Sequence, residues 1–162
     1  EKLYNKILSL SRNKLFYTKF DLLDTFQNRI NLIFLHISFV FIRIKQKDKD
    51  LSYKKFYQKM FDFIFKKIEL NMREIGHGDM SVNKNMKFLV KVFYNILSNC
   101  ENYEEKSLKN KNLFLIKYLV QNSDKKNACY ISLVDYFDKY QAFCFDLSPD
   151  SVLNGDLNFN YK

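Results

Sequence analysis

Three glycines, one proline, three cysteines and no tryptophan are all that the 162 residues contain of those types. Each scarcity excludes something. Cys100, Cys129 and Cys144 are widely spaced and form no CxxC, so the sequence offers neither a disulfide framework nor a zinc signature. They read as small buried apolar residues in a reducing compartment. The most apolar stretch, Leu32 to Ile44, is interrupted by His36, Ser38 and Arg43 and falls short of the ~20 residues that span a bilayer. Strand-like alternation, internal repeats and low-complexity blocks are all missing, and the opening residues, which begin with Glu1 and not Met, do not read as a secretory signal. Glycine is rare enough for its placement to be informative. The only two in the first 154 residues, Gly76 and Gly78, stand one residue apart.

What is present is core-forming material. A 47% hydrophobic and 17% aromatic content excludes a disordered chain. The length suits one domain that buries ~70% of its unfolded-chain surface. Lys, Asn, Ile and Phe are abundant, as an AT-rich genome produces, so the rare residues speak louder. Of 27 basic residues only Arg12, Arg29, Arg43 and Arg73 are arginine. A retained guanidinium, with its bidentate fork, suggests a paired or partly buried position. The net charge of +9 lies wholly in residues 1–103, and residues 104–162 are neutral. The basic part could face a phospholipid surface, RNA or an acidic protein, or serve solubility alone.

The chain reads as all-α, a single compact helical bundle of six or seven helices. Helices are expected over about 3–11, 25–46, 52–75, 82–100, 106–121 and 127–145, with a connection or short helix over 13–23 and a charged loop over 45–50. Asp24-Thr25, Ser52 and Ser81 offer capping oxygens. The second of these helices is apolar on nearly all sides and belongs at the centre of the bundle. Residues 1–145 form the domain, and 146–162, opened by Pro149, a loop-like C-terminal tail pinned by Leu157 and Phe159.

The segment Met72-Arg73-Glu74-Ile75-Gly76-His77-Gly78-Asp79-Met80-Ser81-Val82 reads as a built corner between two amphipathic helices, ended by a glycine C-cap. Arg73, Glu74 and Asp79 are the residues expected to lock it. Arg29, His36 and Arg43 recur every seven residues, close to one helix face. Two readings are open for them: internal ion pairs and hydrogen bonds, with Asp24, Glu74 or Asp79 as partners, or contact with an external molecule. His36 and His77 match no recurrent zinc or hydrolase spacing, so no catalytic residue, metal ligand or cofactor is assigned. The Gly76–Ser81 run lacks the phosphate-loop pattern. Lys84, Lys87 and Lys91 form a basic stripe without the base-reading side chains of a recognition helix, so DNA is not an expected partner.

Two blocks of residues resemble the ubiquinol–cytochrome c chaperone family of alphaproteobacteria and mitochondria. The first holds Leu3, Ser11-Arg12, Phe16-Tyr17, Asp24-Thr25, Arg29, Leu35-His36 and Arg43. The second is the Arg73-Glu74 to Asp79 corner, followed by Lys84, Met86 and Phe93-Tyr94. The match covers residues 3–103 well and the remainder loosely, through the helix pattern and Gly155-Asp156-Leu157. It departs where Asn95-Ile96 replace the usual Gly-Arg after Phe-Tyr, and where Lys66 and Lys67 stand in place of acidic residues.

The resemblance implies a non-catalytic assembly factor for the respiratory cytochrome bc1 complex. The client would be cytochrome b or another bc1 subunit. A small companion subunit and contact with the ribosome or an anionic membrane surface would accompany it. Arg29, His36, Arg43, Lys84 and Tyr94 are the candidates for partner contact. The place implied is the bacterial cytoplasm, peripheral to the inner membrane, or else the matrix face of the mitochondrial inner membrane. The alternative is a basic helical module that binds anionic lipid or RNA.

Overall fold

The computed structural model describes residues 1–47, 51–122 and 126–162, with the side chains of residues 47, 51 and 126–129 excepted. Eight helical segments follow one another: α1 (Lys2–Ser11), α2 (Leu15–Thr18), α3 (Phe26–Lys47), α4 (Leu51–Glu74), α5 (Asp79–Glu101), α6 (Leu108–Tyr118), α7 (Lys126–Asp146) and α8 (Pro149–Leu153). Two of them, α2 and α8, are only four and five residues long. No strand is present among the described residues, and the expected all-α bundle is what forms. Lys45 to Lys47 belong to α3, and the rest of the expected charged loop lies outside the described residues.

The apolar character of α3 decides the architecture. Every residue from Ile30 to Ile42 is buried, so α3 has no solvent face over that span and must be surrounded. It packs most extensively on α5, and also on α1, α4, α7 and α8. Aromatic side chains fill the gaps. Phe34 stacks on Phe65 and meets Phe93 edge-on at 5.3 Å between ring centres. Burying each such ring contributes roughly 1.5–3 kcal/mol.

Hydrogen bonds satisfy several of the polar groups that this core encloses, whereas the Ser38, Tyr103 and Tyr118 hydroxyls are buried without a hydrogen-bond partner among the described residues. The Thr25 hydroxyl caps α3, accepting from Asn28 N at 3.2 Å. Asn28, buried, donates to the carbonyls of Leu23 and Val120 at 2.8 Å each and accepts from Val120 N at 3.0 Å. Asn31 donates to the Tyr118 carbonyl at 2.7 Å. The start of α3 thereby stitches the loop before it to the chain leaving α6, where Leu22 and Gln121 form an isolated antiparallel bridge.

The C-terminal segment is more ordered than a loop. Pro149 opens α8, a favoured first position for proline, and the Ser148 hydroxyl caps it by accepting from Ser151 N at 3.1 Å. Val152 and Leu157 are buried. Gly155 has φ +73°, and a Cβ there would stand 3.0 Å from Leu3 N. Asp156 pairs with Lys2 at 2.9 Å, which brings the chain's two ends together.

Candidate functional site

The corner between α4 and α5 starts from one backbone requirement. Gly76 adopts φ +97°, where L side chains are strained. Its N–H donates to Arg73 O at 3.0 Å, and the His77 N–H donates to Met72 O at 3.1 Å. These are the paired bonds of a Schellman ending, and they satisfy carbonyls that the end of α4 leaves open. Gly78 has no such role. It is the N-cap of α5, at φ −73° and ψ 162°, a conformation open to any residue, with open space where a Cβ would sit. Ser81, expected as the cap, lies inside α5, where its hydroxyl meets His77 Nδ1 at 3.3 Å. Ser52, expected to cap α4, is likewise inside that helix.

Arg73 joins the two helices. Its Nε and Nη2 donate to Glu69 Oε1 at 3.1 and 2.9 Å, and its Nη1 donates to Asp79 Oδ1. Asp79, in the first turn of α5, also suits the positive end of that helix. Glu74 was expected in this lock and does not join it. Adjacent residues on a helix diverge by about a quarter turn, whereas Glu69 lies one turn back on the same face as Arg73. Among the described residues Glu74 forms no ion pair.

Glu74 and its neighbour Ile75 instead rim a groove of about 210 Å³ between α1, α3 and α4. Its floor is apolar, made by Tyr4, Leu8, Ile30, Ile33 and Ile68. At one end stand Arg12 and Arg29, which continue into a second hollow shared with Tyr17. Arg29 holds Asp24 side-on, Nε to Oδ1 at 2.6 Å and Nη2 to Oδ2 at 2.8 Å. That pairing, the hydrogen bond first, keeps the Asp24 carboxyl below its ordinary range. Burial pushes the Tyr17 phenol up, Asp24 adds to this, and the Arg29 guanidinium opposes it. Arg12 forms no ion pair or side-chain hydrogen bond among the described residues. The fold thus gathers Arg12, Tyr17, Asp24 and Arg29 from one end of the sequence and Glu74 and Ile75 from the α4–α5 corner. Sequence reasoning singled out Arg12 as a rare arginine and as part of the first resembling block, and did not place it at a site.

The other candidates divide. His36 is not a contact residue: it is fully buried. Its Nδ1–H donates to Leu32 O at 2.6 Å, and Nε2 accepts from the Tyr136 hydroxyl at 2.8 Å. The rings of Phe16, Tyr136, Phe137 and Tyr140 surround it. Burial lowers its pKa to about 4, against the Leu32 hydrogen bond. Arg43 is also used internally, donating from Nε to Leu147 O at 3.1 Å and lying over the Phe145 ring. Its expected carboxylate partners are thus replaced by a carbonyl and an aromatic face. Lys84 and Tyr94 are exposed on α5, and neither lines the groove. Tyr94 stacks on Phe61 at 5.9 Å while remaining 48% exposed.

Cys100 and Cys144 are free and buried, and burial pushes the Cys144 thiol up to about 12. The side chain of Cys129 lies outside the described residues. Among the described residues no cluster of His, Cys, Asp and Glu is arranged to hold a metal, and no helix is long and apolar enough to cross a membrane. A wider hollow of about 420 Å³, lined by Ile42, Tyr53, Tyr57 and Leu97, carries none of the corner or arginine residues.

The family model described as ubiquinol-cytochrome C chaperone matches residues 18–159. Among solved structures, the crystal structure of the Cbp3 homolog from Brucella abortus aligns with a TM-score of 0.82 at 23% identity, covering 99% of this chain and 87% of that one. At that identity the likeness establishes the fold. No curated protein matches the chain.

Proposed function

The chain belongs to the ubiquinol–cytochrome c chaperone family, and from that premise we propose that it is a non-catalytic assembly factor for the cytochrome bc1 complex. Its client would be cytochrome b or another bc1 subunit, met at the membrane surface. The observation that carries this reading is the convergence of both signature blocks on one groove. Residues some sixty positions apart in sequence are held around a shared apolar floor with charged rims. A recess of that kind suits a segment of another protein.

Action beside a membrane is supported by the outer face of α5. Lys84, Lys87 and Lys91 lie there with the exposed side chains of Met80 and Phe88. Each lysine near an anionic leaflet contributes about 1 kcal/mol of attraction. The cytoplasmic side of a bacterial inner membrane, or the equivalent matrix face, fits this arrangement. A small companion subunit and ribosome contact belong to the same proposal. Deletion of the gene should lower the amount of assembled bc1 complex, read by its haem spectrum, and re-expression of the chain should restore it. Unchanged bc1 content in the deletion strain would refute the proposal.

A further inference from the structure

The cationic end of the groove has an excess of one positive charge. Arg29 and Arg12 stand there with Asp24 as the paired carboxylate, and Asp24 occupies Arg29 alone. A guanidinium beside an apolar recess, with no ion pair or side-chain hydrogen bond among the described residues, is suited to a carboxylate that arrives with apolar neighbours. The volume, about 210 Å³, is below the ~300 Å³ at which small-molecule sites begin, so side chains of a polypeptide fit better than a cofactor.

We propose that this groove receives an apolar segment of a partner protein that carries one acidic residue, with the apolar side chains on the Leu8–Ile33–Ile68 floor and the carboxylate on Arg12. A protein segment is favoured over a lipid headgroup for two reasons. The site is a recess between helices, which a flat bilayer surface does not enter. Glu74, which lines the same recess and forms no ion pair among the described residues, repels an anionic surface but accepts a peptide N–H or a cation. The identity of that partner as a bc1 subunit rests on the reading above; the chemistry of the groove does not.

The test uses three short synthetic amphipathic peptides, alike except for Glu, Gln or Lys at one position beside their apolar face. Binding to the full chain is followed by fluorescence anisotropy. The Glu peptide should bind about tenfold more tightly than the Gln peptide, as a charge-assisted hydrogen bond in a recess gives. Arg12→Gln should remove that preference, and Arg12→Glu should reverse it in favour of the Lys peptide. Thermal melting followed by circular dichroism checks that both variants fold, which an unpaired surface arginine should allow. Equal binding of the three peptides, or a Glu preference that survives Arg12→Gln, overturns the inference. So does binding to phosphatidylglycerol vesicles that falls in Arg12→Gln while the peptides are indifferent to it, because the site would then read headgroups. The two proposals separate cleanly. Lowered bc1 content on gene deletion with indifferent peptides leaves assembly standing and refutes the groove. A reversed preference in Arg12→Glu with normal bc1 content on deletion supports the groove and refutes assembly.

Discussion

His36 shows how a residue in a signature block can serve the interior instead of a partner. A carbonyl can only accept, so Nδ1 carries the proton and Nε2 accepts from Tyr136. The ring is therefore neutral, and burial holds its pKa at about 4, below the ordinary 6.5. A group with a depressed folded pKa costs stability once the unfolded chain takes up the proton that the folded chain refuses. Stability should thus be full above about pH 6.5 and fall as the pH drops towards 4, by about 3 kcal/mol in all. His36→Gln should flatten that part of the urea-denaturation profile while lowering stability at neutral pH. An unchanged slope in the variant would contradict this assignment. The sequence pointed at His36 because polar residues on an apolar helix need partners. It did not indicate that the partners were a backbone carbonyl one turn back and a tyrosine a hundred residues away.

At the scale of elements, strong periodicity was legible and short or distant features were not. The apolar stripes of α3, α4 and α5 were read to within a few residues, because long amphipathic helices repeat their signal. Five-residue α8 has too few turns to repeat anything, and only Pro149 and its preceding serine mark it. At the α4–α5 corner the two glycines looked equivalent, but only Gly76 occupies positive φ. Gly76→Ala should therefore destabilise the fold by about 1–2 kcal/mol, whereas Gly78→Ser should change stability by no more than about 0.5 kcal/mol. Urea denaturation of the two variants side by side decides the matter, and equal losses would mean that the corner's geometry is set by something other than its Schellman ending. The Arg73 bridge is solvent-exposed. It orients α4 against α5 and adds little to global stability.

Over the whole molecule, the bundle is built around a helix with no solvent face from Ile30 to Ile42, and the proposed docking groove opens where α1 and α4 pack on it. The groove was beyond sequence reasoning for a physical reason. Arg12, Arg29 and Glu74 come from three helices or their ends, and only the packing of α1 and α4 on α3 brings them to one place. The surplus of positive charge in residues 1–103, read as meeting an anionic partner or serving solubility alone, reaches the surface in part through two features, beside the exposed lysines of α4. One is the lysine face of α5, and the other is the arginine end of the groove. The account stands or falls on whether that groove is where a client docks. A photo-crosslinking residue placed at Ile75, which is 62% exposed on the groove rim, should trap newly made cytochrome b in cells assembling bc1. The same residue at Leu153, 55% exposed on α8, should not. Capture of cytochrome b from Leu153 and none from Ile75 would contradict it.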